Sequence, residues 1–405
     1  MEPAADTPTL KRALRLPHLV FYGLGITVGA GIFALIGEIV GIAGDHAPLA
    51  FVIAGILAAI TARSYAVLAR RFPKAAGAAV YAEKGFGPTA GRLAGFGVIL
   101  TGIISSSVIA LAFAGYVGTF LPVPQPPLIA ALLAGLAVLA WWGVKESVSS
   151  AAVVTVLEIG TLAVIAAVGL PALLDADLWR RLVALPVTRP DLDLTVAAAA
   201  VCFFAFLGFE DIVNVTEETI APERTVGPAI ALTLAITTLL YVALAAIAAA
   251  MPDRAALAAS DAPLSHMFNE LTGLPGMPIS AIAAVAMLNG ILIQTIMASR
   301  VIYGMGREGL LPAWLGAVEP RRRTPLRAIA LTALAIAALA YAAPLLQLAQ
   351  TTSYVILAVF ALVNFSLFAL GSKEPAGELR RARWFGFAGG LLTTGFLVYE
   401  IARQF

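Results

Sequence analysis

The chain has few charged residues and few of the side chains that hold metals or form disulfides. Only 12% of its 405 residues are charged, and it has one cysteine, Cys202, and three histidines, which are His18, His46 and His266. One cysteine excludes an internal disulfide, and the histidines are too far apart in the sequence to suggest a metal cluster. The net charge of +2 says little about partners. We expect no metal, no cofactor and no nucleic-acid partner.

Motifs of nucleotide-dependent proteins and of enzymes are missing as well. There is no phosphate-binding loop with Gly-Lys-Ser or Gly-Lys-Thr, which argues against ATP-driven transport by this chain alone. The spacing Gly304-x-Gly306-x-x-Gly309 matches a dinucleotide fingerprint, but it follows an apolar run and not a strand, so we reject it. No grouping of His, Cys and Asp suggests a nucleophile with its base, and we expect no enzymatic activity.

Long apolar runs, in contrast, recur along the whole chain. The composition is 60% hydrophobic and the mean hydropathy is +0.93, values typical of a membrane protein. Runs of about 20 residues are long enough to cross a bilayer as helices. We predict an all-α polytopic membrane protein with about eleven spans, near His18–Gly44, Pro48–Arg70, Leu93–Phe120, Leu128–Gly143, Val148–Leu170, Leu194–Ile220, Val226–Met251, Pro278–Tyr303, Leu326–Ala343, Gln347–Leu370 and Trp384–Ile401.

The basic residues indicate the orientation of these spans. Nineteen of the 26 Lys and Arg residues, including Arg321–Arg323, fall on the side of the N-terminus. Because cytoplasmic loops carry an excess of Lys and Arg, the N-terminus is predicted to be cytoplasmic. An odd number of spans then places the C-terminus outside. The segment Phe72–Gly91 is predicted to be amphipathic or partly re-entrant on the cytoplasmic side, and the external loops 171–193 and 252–277 could each carry a short surface helix.

The first span contains the stretch Gly25–Phe33, in which Gly29, Ala30 and Gly31 weaken the middle of a helix. Irregular backbone at membrane depth is tolerated where it is buried in protein or lines a cavity. Free N–H groups at the start of a half-helix would favour an anion such as a carboxylate. Gly25 and Gly29 also form a GxxxG pattern, so a helix–helix contact is an equally good interpretation.

The sixth span has a second such stretch, Cys202–Asp211, with aromatic residues, Gly208 and the two carboxylates Glu210 and Asp211. Acidic residues in a span usually face a cavity or a partner. The alternative is that both acids lie in water at the end of a shorter helix. Matching interruptions in two halves of a chain point to a central site between inverted repeats. Spans one to five and six to ten would be the repeats.

Four motifs together resemble the amino acid–polyamine–organocation permease superfamily, especially its bacterial members that are similar to cationic amino acid transporters. They are Gly25-x-x-x-Gly29-Ala30-Gly31-Ile32-Phe33, Phe72-Pro73-x-x-x-Gly77 with Tyr81, Phe86 and Gly87, the sixth-span run Phe203–Glu210 with Glu217-Glu218, Pro222, Arg224 and Pro228, and the loop from Ser299-Arg300 through Arg307 and Leu310–Pro312 to Thr324-Pro325. The resemblance covers nearly the whole chain.

This resemblance implies a five-plus-five inverted-repeat fold with broken first and sixth helices. The first would offer backbone amides to a substrate carboxylate, and the sixth would offer carbonyls to an amino group together with an aromatic lid. The implied substrate-binding residues are Val28, Gly29, Ala30, Gly31, Ile32, Phe203, Ala205, Phe206 and Gly208. The corresponding division of the chain is a cytoplasmic segment 1–17, a first repeat 18–170, an external loop 171–193, a second repeat 194–371, and a loop with an extra helix 372–405.

One departure from the superfamily concerns the fifth span. Proton-linked relatives place a lysine there after a Gly-x-Lys-Glu-Ser turn, whereas this chain has the turn Gly143–Ser147 but Glu158 at the corresponding position. A buried acid can carry a proton or pair with a cation, so we predict a coupling or counter-charge role for Glu158, Glu210 and Asp211. A polar contact between helices is the alternative for Glu158. Ser106 and Asn289 are secondary candidates for contact with substrate.

These observations predict a secondary transporter in the cytoplasmic membrane that moves an amino acid by alternating access, coupled to protons or by exchange. A permease for polyamines or other organic amines is the alternative within the class, because the buried acids would supply counter-charge. A channel or an intramembrane enzyme is a remote alternative. The expected partners are a small molecule, protons and the lipid bilayer.

Overall fold

A computed structural model describes residues 13–73, 77–143, 148–175, 188–307 and 311–403, and most of these residues are helical. The α-helices, in chain order, are α1 (Leu16–Thr27), α2 (Ala30–Ala43), α3 (Ala47–Arg71), α4 (Gly77–Phe86), α5 (Pro88–Gly118), α6 (Gln125–Trp142), α7 (Val148–Val168), α8 (Leu170–Leu173), α9 (Arg189–Ala205), α10 (Pro222–Ala250), α11 (Arg254–Ala258), α12 (Pro263–Thr272), α13 (Met277–Arg307), α14 (Leu326–Ala342), α15 (Leu345–Lys373) and α16 (Glu378–Ala402). Short 3₁₀ helices cover Gly44–His46, Phe209–Glu218 and Ala313–Gly316.

The prediction of an all-α polytopic fold is confirmed. Each predicted span coincides with helix. Eight segments in the described part of the chain are long and apolar enough to cross a membrane, and three shorter apolar helices lie at the first, fifth and ninth predicted spans. The total of eleven spans stays a prediction. The predicted amphipathic segment contains α4, and the loop after the seventh span contains α11 and α12.

Both predicted helix breaks are present. α1 ends at Thr27 and α2 begins at Ala30, so the first span is divided at Val28 and Gly29. α9 ends at Ala205, and after the turn Phe206–Gly208 the chain continues as the 3₁₀ helix Phe209–Glu218. Glycine lacks a Cβ and permits the left-handed conformation of Gly208, which has a φ of 115°.

The packing of the helices has the symmetry expected for two equivalent halves. α2 packs against α9, and α1 packs against the 3₁₀ helix Phe209–Glu218. α1 also contacts α10 and α7. α9 contacts α3 and α15. These are equivalent contacts, because α3 and α10 are the second helices of the two halves and α7 and α15 are the fifth. The pairs α3–α10, α5–α13 and α6–α14 join equivalent helices directly. This pattern is the one that inverted five-helix repeats produce, whereas the repeat limits 18–170 and 194–371 stay a prediction.

The two ends of the bundle are built differently. On the N-terminal side, where the described chain begins, Leu14 forms a parallel bridge with Thr219, and Ile220 N–H donates to the Leu14 carbonyl at 2.8 Å. This bridge joins the start of α1 to the end of the broken sixth span. On the opposite side, α11 and α12 pack on α2, and Arg254 forms an ion pair with Asp45 at 2.6 Å.

Candidate functional site between the two helix breaks

The two breaks lie directly against each other. A Cβ atom on Gly31 would lie 2.7 Å from the Cα of Ala205, and one on Gly208 would lie 2.5 Å from Cγ2 of Ile26. Both distances are shorter than carbon atoms adopt in proteins. The Ala205 Cα belongs to the backbone, and the backbone carbonyl carbon of Ile26 would also lie only 3.0 Å from a Cβ on Gly208. Because the residues at these two positions lack a Cβ, the start of α2 reaches the end of α9, and the sixth break reaches the end of α1.

The N-terminal end of α2 supplies free hydrogen-bond donors. No side chain caps this helix end, and Gly29 occupies its N-cap position. The first N–H groups of α2, on Ala30, Gly31 and Ile32, therefore have no acceptor within the helix. Together with the helix dipole they favour an anion. The start of the 3₁₀ helix in the sixth span differs, because the Glu210 carboxylate accepts the Gly208 N–H at 2.9 Å.

The C-terminal ends of α1 and α9 supply carbonyl groups at the same place. The Tyr241 hydroxyl of α10 lies 2.9 Å from the Thr27 carbonyl oxygen and 3.0 Å from the Ala205 carbonyl oxygen. A phenol has one proton and can saturate only one of these acceptors at a time. The partly negative carbonyl oxygens of Thr27 and Ala205 therefore lie beside the partly positive N–H groups at the start of α2.

A cavity of about 120 Å³ adjoins the breaks and extends toward the N-terminal side of the bundle. Its volume is similar to the roughly 150 Å³ of a protein cavity that holds benzene, which suits a small ligand. Much of its wall is apolar. The lining residues are Ile26, Thr27, Ala30, Gly31, Val98, Ile99, Thr101, Gly102, Ser105, Ile109, Phe204, Leu207, Gly208, Glu210, Asp211, Gln294, Met297, Ala298, Val301 and Ile356.

Most polar groups of this wall already have partners. The hydroxyls of Thr101 and Ser105 donate to carbonyls of their own helix, and an Asp211 carboxylate oxygen accepts the Asn214 amide at 2.9 Å. The Thr27 hydroxyl is different, because it is buried and has no hydrogen-bond partner among the described residues. A buried hydroxyl without a partner is costly, and a ligand in the cavity could supply one.

The predicted substrate-binding residues divide into two groups. Ala30, Gly31 and Gly208 line the cavity, as do Glu210 and Asp211, for which a coupling or counter-charge role is predicted. The others do not belong to its wall: they are Val28, Gly29, Ile32, Phe203, Ala205 and Phe206. In the last turn of α9, the aromatic residue on the wall is Phe204.

The helical period explains this difference. After α9 the chain continues in a tight turn, in which the N–H groups of Phe206 and Leu207 donate to the carbonyls of Phe203 and Phe204. Residues three apart then lie on the same side, so Phe203 and Phe206 share one side and Phe204 and Leu207 share another. The Phe203 ring packs against Phe360, with the ring centroids 5.8 Å apart. The Phe206 ring packs against Tyr241 at 5.4 Å. The sequence identifies the aromatic turn but not its cavity-facing side.

Glu158 lies behind the breaks and not on the cavity wall. It is only 3% exposed, and its Oε2 atom has no hydrogen-bond partner among the described residues. Its helix, α7, packs against α1, α10 and α13. Thr155, one turn earlier on α7, contacts α1 at Gly25, and Glu158 is close enough to Tyr241 for an electrostatic interaction.

The secondary candidates also lie off the cavity wall. Ser106 is fully buried and donates to the Gly102 carbonyl at 2.8 Å, while Asn289 is half-buried on α13. Thr27, Ser105 and Gln294 are among the polar residues on the wall that the sequence interpretation did not choose as site residues. Their polar side chains in apolar spans are a signal, but only the packing shows which of them face the cavity.

On the side opposite the N-terminus, the cavity is covered by packed protein. The Tyr116 hydroxyl of α5 donates to the Phe33 carbonyl at 2.8 Å and accepts the Leu264 N–H of α12 at 3.2 Å. A Cβ on Gly37 would lie 2.6 Å from the Leu257 carbonyl oxygen of α11. α2, α5, α11 and α12 are therefore in close contact above the breaks.

Comparison with known proteins finds a family whose model matches nearly the whole chain. The family model described as amino acid permease matches residues 14–402. An uncharacterized transporter of Mycobacterium tuberculosis is 34% identical over 395 residues, covering 94% of this chain and 85% of that protein. A branched-chain amino acid permease of Bacillus subtilis is 26% identical, covering 92% and 83%. A vacuolar cationic amino acid transporter of Arabidopsis thaliana is 29% identical, covering 91% and 64%.

Proposed function

Because this chain belongs to the amino acid permease family, we propose that it is a secondary transporter that moves an amino acid across the cytoplasmic membrane by alternating access. The observation that carries the proposal is the contact between the two helix breaks, at Gly31 with Ala205 and at Gly208 with Ile26. This contact brings unpaired donors and carbonyl acceptors together at membrane depth, beside a cavity of small-molecule size.

An α-amino acid fits this arrangement through its two charged groups. Its carboxylate would accept hydrogen bonds from the N–H groups at the start of α2, because the other positive helix end is already occupied by Glu210. Its ammonium group would donate to carbonyls at the ends of α1 and α9 and to the Thr27 hydroxyl. The side chain would extend along Val98, Ile109 and Phe204, and this wall favours an uncharged, apolar side chain.

The contacts above the breaks support the proposed mechanism. The cavity is sealed by α11 and α12 on one side and reaches toward the N-terminal side. With the predicted orientation, this is a conformation closed to the outside. Transport would require α11 and α12 to separate from α2 and α5 while the N-terminal side closes.

A test of the function uses two glycine variants in proteoliposomes. Gly31→Ala places a Cβ against the Ala205 backbone and should separate the breaks, so we expect amino acid uptake to be lost. Gly135→Ala is the matched control, because a Cβ on this α6 glycine meets nothing within 4 Å, and uptake should be unchanged. Uptake by Gly31→Ala equal to that of the control would contradict the proposed site.

Glu210 and Asp211 on the cavity wall favour the second candidate, a permease for organic amines. The candidates differ in their need for a carboxylate on the ligand. If an amino acid is the substrate, the corresponding amine without its carboxylate should compete poorly for uptake. Competition by the amine as strong as that by the amino acid would favour the amine permease and would contradict a carboxylate site at α2.

A further inference from the structure

α3 and α10 form a second, larger cavity away from the breaks, on the outer surface of the bundle. It has a volume of about 770 Å³ and a mostly apolar lining. Small residues recur along it at helical spacing, including Gly55, Ala59 and Ala66 of α3 and Ala231 and Ala235 of α10. Ile56 and Leu239 also line it and are 55% and 77% exposed. The cavity is therefore a groove that opens to the bilayer, and we call it the α3–α10 groove.

Arginine side chains lie along the N-terminal side of this groove. Arg63 and Arg70 line it, and their spacing of seven residues places them on one face of α3, about 10 Å apart along the helix. An adjoining cavity is lined by the same two arginines and by Glu378, Arg381 and Phe385 of α16. Three positive side chains thus surround one negative side chain.

Only one of these arginines is neutralised. Arg70 forms an ion pair with Glu378 at 2.6 Å. Arg63 and Arg381 are exposed and form no ion pair with a described residue. Arg63 lies eight residues before the end of α3 at Arg71, which is about 12 Å along the helix. A charge at that depth on the lipid side of a span is costly unless an anion or water reaches it.

We propose that the α3–α10 groove binds an anionic phospholipid. One acyl chain would lie along the small residues of α3 and α10, and the phosphate would lie between Arg63 and Arg381. Basic pockets between membrane helices are suited to anionic headgroups, and the excess of positive charge favours such a lipid over a zwitterionic one. A helix of a second copy could cover the small residues but would leave Arg63 without an anion. The proposal does not depend on the identity of the transported molecule.

Native mass spectrometry of the delipidated full chain tests this binding. Phosphatidylglycerol and phosphatidylcholine with identical acyl chains would be titrated against the wild type, Arg63→Gln and Arg300→Gln. Arg300 is an exposed arginine of α13 that lines neither cavity, so its variant is the matched control. We expect phosphatidylglycerol to bind more tightly than phosphatidylcholine, and Arg63→Gln to weaken phosphatidylglycerol binding about fivefold while Arg300→Gln leaves it unchanged.

A second variant tests the place of the acyl chain. Ala235→Trp puts a large ring into the groove at an exposed position of α10, and Ala338→Trp puts one on an exposed position of α14. Only Ala235→Trp should reduce binding of both lipids. Equal binding of the two lipids to the wild type, or equal effects of the Arg63 and Arg300 variants, would overturn the proposal. If the wild type forms dimers and Ala235→Trp abolishes them, this would also overturn the proposal and would identify a second copy of the chain as the occupant of the α3–α10 groove.

Discussion

Tyr241 is the residue that connects the two helix breaks. Its hydroxyl is within hydrogen-bond distance of the last carbonyl of α1 and the last carbonyl of α9, and its ring packs against Phe51 and Phe206. One side chain from α10 thus stabilises both irregular segments. The sequence does not indicate this role, because a tyrosine in an apolar span could equally lie at the membrane interface.

Removing this hydroxyl should weaken the site and the fold together. In Tyr241→Phe, two buried carbonyls lose their shared donor, and we expect a loss of about 1–3 kcal/mol of stability together with slower uptake. The control is Tyr341→Phe, because the Tyr341 hydroxyl donates to the Pro126 carbonyl at an exposed place where water can replace it. Thermal unfolding and uptake of both variants provide the measurement. Equal melting temperatures for the two variants would contradict the role of Tyr241.

Glu158 is the residue for which we propose a role in proton coupling. It is buried, one of its oxygens has no partner among the described residues, and Thr155, one turn earlier on α7, contacts α1 at Gly25. An isolated carboxylate is unstable in such surroundings unless it is protonated or paired. Binding and release of a proton at Glu158 would therefore be linked to movement of α1 or α7.

The prediction is that Glu158→Gln separates uptake from the proton gradient. In proteoliposomes with an acidic exterior, the wild type should accumulate substrate, because protons move inward with it. Glu158→Gln should lose this accumulation but retain exchange of labelled for unlabelled substrate. If the variant still accumulates substrate when the exterior is acidic, proton coupling through Glu158 is wrong, and a helix contact becomes the better interpretation of this residue.

At the scale of elements, the sequence predicts where the helices break but not how they are rotated. The breaks are visible because Gly29, Gly31 and Gly208 interrupt runs that are otherwise suited to helices. The direction of a side chain, in contrast, changes by about 100° from one helical residue to the next. An aromatic lid predicted at Phe203 or Phe206 thus differs from the observed cavity residue, Phe204, by only one or two positions.

The two faces of α9 should respond differently to the same substitution. Phe204 is buried as well, so Phe204→Ala should also lose stability. Because this substitution enlarges the cavity, we expect in addition a changed KM or a changed preference for side-chain size. Phe203→Ala leaves a hole beside Phe360 in the core and should cost about 3–5 kcal/mol without a change in selectivity. Competition assays and thermal unfolding of the two variants distinguish these effects. A change in selectivity for Phe203→Ala alone would reverse the assignment of the faces.

For the molecule as a whole, the sequence predicts where the long apolar helices lie along the chain but not the conformation in which they pack. The contact of α11 and α12 with α2 and α5 joins segments more than a hundred residues apart in the chain, through backbone atoms such as the Leu257 carbonyl. Hydropathy carries no information about such contacts. The bridge between Leu14 and Thr219 is equally invisible in the sequence, because it depends on backbone hydrogen bonds and not on side chains.

The packing of equivalent helices against each other indicates how the contacts on the two sides of the membrane would change during transport. α3 with α10 and α5 with α13 are packed pairs that join the two halves. Opening on one side and closing on the other can therefore proceed as movement of one group of helices against another, with the breaks as the fixed centre. In this movement the cover formed by α11 and α12 would open while the N-terminal side closes.

Alternating access predicts that the cavity can be reached from one side of the membrane at a time, and labelling of a cysteine on its wall measures this. Cys202 is the only cysteine and is buried, so Cys202→Ala provides a background in which Ser105→Cys marks the cavity wall. Membrane-impermeant thiol reagents would be added to either side of proteoliposomes, with and without the transported amino acid. We predict that the introduced thiol is labelled from the N-terminal side, that it becomes labelled from the opposite side when a substrate gradient drives turnover, and that saturating substrate protects it. Labelling from both sides with no effect of substrate would indicate a channel and would contradict alternating access at this site.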